Sequence, residues 1–220
     1  MNANEFIDYV ATHANGNEDP DRIPSLGELS EEMGVSISKL REQLEGARTL
    51  GLVEVRPRTG IRRKPYSFGP AATNSLLYAI ARDRSRFAAF SELRVQIENA
   101  FWCEAVSQLT ESDLEELQAL ITLAWQELNG SPIIIPHKEH RKLHLTIFKR
   151  LENPFVKGLL EAYWNAYEAV ELGSYADLSY LREVWTYHER IVTAIVRGDI
   201  EGSRQAFIEH TKLLRIRSDG

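Results

Sequence analysis

Apolar positions along the chain follow two patterns. Up to about residue 64 they come in short runs broken by turn residues, and beyond residue 73 they recur every three or four places over long segments. In the first part, Phe6, Ile7 and Val10 sit at helical spacing and predict a short helix over 4–13, followed by a polar loop over 15–22. Ser25-Leu26-Gly27-Glu28 has the capping-box pattern, in which hydroxyl and carboxylate satisfy each other's free amides, so a helix runs to about Met33. Gly34 supplies a turn. Ser36 then caps a second helix that buries Leu40, Leu44 and Ala47 and ends at Gly51. Residues 52–56 alternate as a strand, and Pro57-Arg58-Thr59-Gly60 turns the chain into a second strand over 61–64.

Pro65, Gly69 and Pro70 mark a linker over 67–72. The remaining segments read as helices over 73–83, 86–109, 111–128, 134–151, 154–172, 178–197 and 200–216. Thr110-Glu111-Ser112-Asp113 offers a cap, Gly130 and Pro132 stop one helix, Asn153-Pro154 starts another, and Gly198-Asp199 separates the last two. Short connections between such helices favour antiparallel neighbours. The fold class is therefore mainly α, with a winged helix-turn-helix over 1–66 and an antiparallel all-helical bundle over 73–220.

Charge sharpens the reading of the first part. Residues 1–34 carry one basic side chain against eight acidic ones, whereas residues 35–66 carry eight basic against three acidic. A net charge of −6 argues against binding nucleic acid with the whole surface and leaves room for a local basic face. Two helices about a glycine turn, followed by a basic hairpin, describe a helix-turn-helix with a wing, whose second helix enters the major groove. Ser36, Ser38, Lys39 and Arg41 are the candidates for base edges, and Arg56, Arg58, Arg62 and Arg63 for phosphates or a minor groove. The expected partner is a double-stranded DNA operator.

In the bundle the informative residues are histidines on apolar stripes. His210 shares one with Ile200, Ser203, Phe207 and Leu214; His188 with Leu181, Val184 or Trp185, Val192 and Ile195; His140 and His144 with Ile147 and Leu151. In a hairpin about Gly198, His188 and His210 lie about 15 and 18 Å from the turn and become neighbours. His140 and His144, one turn apart, can reach one metal. Each imidazole is either a hydrogen-bonded core residue or a ligand of a shared divalent metal. Arg94, beside the stripe Phe90, Leu93, Ile97 and Phe101, either clamps a carboxylate with its guanidinium or pairs with Glu98 at i+4. Trp125, Tyr163, Trp164, Tyr167 and Trp185 read as core aromatics that can also line a pocket, and His13 and His137 are left outside the cluster.

The stretches Ile23-Pro24-Ser25, Glu28-Leu29-Ser30, Met33-Gly34-Val35-Ser36, Arg41-Glu42, Leu44 and Gly51-Leu52-Val53-Glu54-Val55-Arg56-Pro57 through Gly60 resemble the GntR family of bacterial regulators. That family usually carries arginines where Gly27 and Ile37 stand, which implies an altered operator or weaker binding, offset by Lys39 and the wing arginines. Leu143-His144, Asn153-Pro154, His188 with Ala194 and Gly198-Asp199, Ala206 with His210, and the pattern Glu92-x-Arg94-x-x-x-Glu98 are similar to the FCD ligand-binding domain of the fatty-acid-regulator subfamily. The resemblance implies a metal, zinc or nickel, held by three histidines that map onto His144, His188 and His210. The usual fourth ligand, an aspartate, maps onto His140. It also implies a homodimer.

Taken together, the expectation is a DNA-binding transcription regulator that senses a small carboxylate effector through a histidine-held metal. A metal-free regulator with an apolar pocket or a plain dimerisation module is the alternative. A metal-dependent enzyme is disfavoured, because Glu139, Glu189 and Glu209 each point about 100° away from the neighbouring histidine on its helix. No run approaches the roughly 18 apolar residues of a membrane span, the N-terminus lacks signal-peptide features, and the single cysteine, Cys103, fits a reducing cytoplasm.

Overall fold

A computed structural model describes residues 5–13, 19–171 and 177–218, with side chains up to 170 and from 177 to 213. The expected helix start at Asn4, the first half of the 15–22 loop, the helix end at Leu172 and the side chain of Leu214 lie outside the described residues. The chain divides into two units, Met1–Ala72 and Thr73–Gly220, each with its own core.

In the first unit α1 (Glu5–Thr12) buries Phe6, Tyr9 and Val10, while Ile7 is only half-buried. Tyr9 takes the core position because its hydroxyl reaches Glu32 at 3.2 Å. The Phe6 amide donates to buried Gln43 at 3.1 Å, which ties α1 to the helix-turn-helix. α2 (Leu26–Met33) opens on the reciprocal Ser25–Glu28 capping box and ends at Gly34, whose φ of +67° is the left-handed turn that joins it to α3 (Ile37–Thr49). β2 (Val53–Arg56) and β3 (Gly60–Arg63) form the expected hairpin. β1 (Arg22–Ile23) has no counterpart among the expected elements; this two-residue strand places Ile23 opposite Ile61 and makes the sheet order β1-β3-β2. Two residues are too few for alternation to register. At Gly51, φ is +75° and a Cβ would stand 2.6 Å from the Pro70 ring, so both conformation and space demand glycine.

α4 (Gly69–Arg82) starts in the first unit and runs into the second, which is all helical: α5 (Arg86–Ser107), α6 (Glu111–Leu128), α7 (His137–Ile147), α8 (Pro154–Glu171), α9 (Leu178–Val196) and α10 (Ile200–Ser218). α4 begins within the expected linker, because proline in a first helical turn gives up an amide that has no partner there. α7 starts three residues later than expected. Pro136 disfavours helical backbone at the residue before it, and Ile134 instead donates to the Glu127 carbonyl at 3.0 Å. α9 and α10 form a hairpin about Gly198; α6 packs on α9 and α5 on α10, while α7 lies against α6 and α8, and α8 against α5. Trp102 sits at the centre, stacked on Phe207 at 4.5 Å, with its indole N–H donated to Ser203 at 2.9 Å.

Candidate metal centre and nucleic-acid interface

α7 supplies His140 and His144 one turn apart, α9 supplies His188 and α10 supplies His210. Ligand-capable nitrogens of the four lie within 4.8 Å of one another. His188 and His210 have ring centroids 4.4 Å apart, as the hairpin arithmetic requires, and His140 and His188 are 4.8 Å apart. The closest nitrogens are Nε2 of His144 and Nε2 of His188, at 3.3 Å. His144, His188 and His210 are buried, and half-buried His140 lies edge-on to Trp164 at 4.7 Å.

Burial above all pushes the four imidazoles below the ordinary histidine range; neighbouring imidazoles add to it at His140, His188 and His210, and the Arg94 charge adds to it at all four. His210 is brought down to about 3, with Glu98 opposing the shift. Neutral imidazoles carry free lone pairs, and several nitrogens here have no hydrogen-bond partner: Nε2 of His140, Nδ1 of His188 and both of His210. Leaving so many polar atoms buried and unpaired costs on the order of 1–3 kcal/mol each. One cation among the four rings would take up a lone pair from each, so the residues fit a transition metal held by nitrogen donors.

Glu98, on α5, is fully buried beside the cluster. Its Oε1 lies 3.1 Å from Nδ1 of His144 and its Oε2 3.3 Å from Nε of Arg94. Burial raises the Glu98 carboxyl above its usual range, against the Arg94 charge. Arg94 is itself buried, with its guanidinium 4.4 Å above the Tyr163 ring and Nη2 lacking a hydrogen-bond partner. The Arg94–Glu98 pair is thus present, and a guanidinium nitrogen still remains for a ligand. The i+4 spacing offers Glu98 as one of two possible partners for Arg94, the other being a ligand carboxylate. The contact of Glu98 with His144, 46 residues away, leaves no local signal in the sequence.

On the first unit, Ser36 caps α3, its Oγ accepting from the Lys39 amide at 3.3 Å. Ile37, Ser38, Lys39 and Arg41 are exposed on the first turns of that helix. Lys39 pairs with Glu5 at 2.9 Å and Arg56 with Glu54 at 2.7 Å, both at the surface. Arg58 is exposed between the two strands with φ of +68°. Arg62 is held differently, in a bidentate contact with Asp19 at 2.6 and 3.0 Å, and Arg63 donates to the carbonyl of His13. Part of the basic stretch is therefore neutralised by the acidic stretch that precedes it. The sequence showed the reversal of charge but not this long-range pairing.

The FCD domain family matches residues 89–213, more than half of the chain and all four histidines. The chain belongs to that family. Relatives of this FCD-domain protein include the Uxu operon transcriptional regulator of Escherichia coli strain K12, 26% identical over 90% of the chain and 78% of the relative. The HTH-type transcriptional regulator LutR of Bacillus subtilis strain 168 is 25% identical over 86% and 88%. A solved structure of Streptococcus agalactiae GntR shares the fold, with a TM-score of 0.68 and 19% identity, over 98% of both chains. The FCD protein also resembles E. coli McbR/YncC, with a TM-score of 0.51 and 21% identity, over 97% of this chain and 93% of the other. It is an FCD-domain protein, and both of these curated relatives are transcription regulators. No helix among the described residues is long and apolar enough to cross a membrane.

Proposed function

We propose that this regulator, of the fatty-acid-regulator subfamily, senses a small carboxylate through a zinc or nickel ion held by His140, His144, His188 and His210. The carrying observation is the set of four neutral histidines within 4.8 Å, with unpaired nitrogens facing no other partner. The ion would supply a Lewis-acidic positive centre. Four uncharged ligands leave its full charge in place, where an aspartate would have removed one unit. Arg94 adds a donor for the carboxylate, and Nη2 is the atom it has to offer.

In this reading residues 1–66 bind a DNA operator, residues 67–72 link, and residues 73–220 bind the effector and form the homodimer. Ser36, Ser38, Lys39 and Arg41 face the major groove, and Arg56 and Arg58 reach the backbone. Arg62 and Arg63 support the wing through their internal partners and contact DNA only if those contacts open. Exposed Ile37 adds an apolar contact suited to a thymine methyl group, where the family usually has an arginine. Effector binding shifts operator affinity, and a coupling of roughly 1–3 kcal/mol makes a useful switch.

The test is metal content by elemental mass spectrometry on protein purified without a nickel column or chelator, with His188→Ala beside it. About one transition metal per chain, lost in the variant, supports the reading. No metal in either, and none taken up on titration, overturns it. Carboxylates are then screened for a change in the affinity of the metal-loaded protein for a selected operator.

A further inference from the structure

We infer that Glu98 is a positioning residue for the histidine cluster, fixing the tautomer of His144 and linking it to Arg94. The inference rests on the metal reading above and deepens it. A carboxylate accepts hydrogen bonds, so a Glu98 oxygen 3.1 Å from Nδ1 of His144 places the ring proton on that nitrogen. The lone pair is then on Nε2, the atom that faces Nε2 of His188 at 3.3 Å. Two nitrogens on a tetrahedral ion with bonds of about 2.0–2.1 Å stand about 3.3–3.4 Å apart. The rings are already at that spacing.

A plain counter-ion of Arg94 would not need this arrangement. Arg94 is one turn away on the same helix and pairs with Oε2 of Glu98. The second oxygen instead meets a side chain from α7, and that contact lies wholly within the buried interior. Carboxylates that take the outer ring proton of a metal-bound histidine orient the ring and raise its basicity. Glu98 is placed to do both for His144.

The same side chain joins the two halves of the proposed site. A carboxylate arriving at Arg94 draws the guanidinium away from Oε2 of Glu98 and leaves more of the Glu98 charge to His144. Carboxylate affinity and metal affinity then rise together, and linkage makes the effect reciprocal.

The experiment measures zinc affinity by chelator competition for the wild type, E98Q, R94M and the double variant R94M/E98Q. Long-range proton–nitrogen correlation spectra of the zinc-titrated wild type report which His144 nitrogen is bound. The expected result is zinc on Nε2 with Nδ1 protonated, a loss of roughly 10–100-fold in E98Q, and no loss in R94M. E98Q leaves Arg94 buried without its counter-ion and can misfold, so the double variant, which removes both charges, is compared with R94M and shows the same loss. Zinc bound by the wild type but indifferent to Glu98 in both backgrounds, or held through Nδ1 of His144, overturns this inference and leaves the metal reading standing. A wild type that takes up no zinc overturns both.

Discussion

Arg58 and Arg62 carry the same charge on the same hairpin, yet the fold holds them in different ways. Arg58 is exposed in a left-handed conformation that a bulky residue adopts at a cost, and such positions cluster where function requires them. Arg62 is half-buried and gripped by both oxygens of Asp19. Arg58→Ala is therefore expected to weaken operator binding about equally across sequences and to reduce the salt slope by about one, leaving the melting temperature unchanged or raised. Arg62→Ala should lower the melting temperature first, with any loss of DNA affinity following from a displaced wing. Fluorescence anisotropy against salt, paired with thermal unfolding, separates the two. Equal effects of both substitutions on binding, with no change in stability, would show Arg62 to be a direct DNA contact after all.

Helix α3 owes its start to Ser36, and its position at the proposed DNA face lets stability be separated from binding. Ser36→Ala removes the cap and should cost about 1 kcal/mol, read from chemical denaturation. Ser36→Asp restores a cap of equal quality and suits the positive end of the helix, so stability returns. The added charge faces phosphate, and operator affinity falls. In the second unit Asp113 closes a capping box on α6 and also takes Arg150 at 2.8 Å, with Lys149, from just beyond α7. Arg150 above all holds its carboxyl far below the usual range. A group whose folded pKa is depressed stabilises above its unfolded value, near 4, and loses that contribution as pH falls towards the folded one. Asp113→Asn should therefore be less stable than wild type at pH 7, with the difference shrinking below pH 4. A difference that stays constant down to pH 2 would point to packing instead of charge. The caps at Ser25, Ser36 and Thr110 were legible because they are made within four residues. The β1 pairing and the grip of Asp19 on Arg62 were not, since they join residues about 40 apart.

Across the whole chain, periodicity disclosed the two kinds of architecture and the inward face of each histidine, because both are properties of a helix taken alone. The meeting of three helices at the histidine cluster could be anticipated only for α9 and α10, whose short turn fixes their relative height. α7 joins through packing, and Glu98 through a contact that no spacing encodes. Each unit has a separate core, so a ligand at the cluster acts on the stability of the second unit directly. All four tryptophans, Trp102, Trp125, Trp164 and Trp185, belong to that unit, which makes their fluorescence a reporter of it alone. A ligand at 100 times its dissociation constant stabilises the state that binds it by about 2.7 kcal/mol. For a unit of this size that corresponds to an upward shift of roughly 5–10 °C in the tryptophan-detected midpoint. Zinc should produce the shift in wild type, His188→Ala should abolish it, and chelator should reverse it. Magnesium should not produce it, because a hard cation gains little from four imidazoles. A zinc shift that survives in His188→Ala would place the ion elsewhere on the chain, whereas the same shift with magnesium would reduce the effect to nonspecific charge.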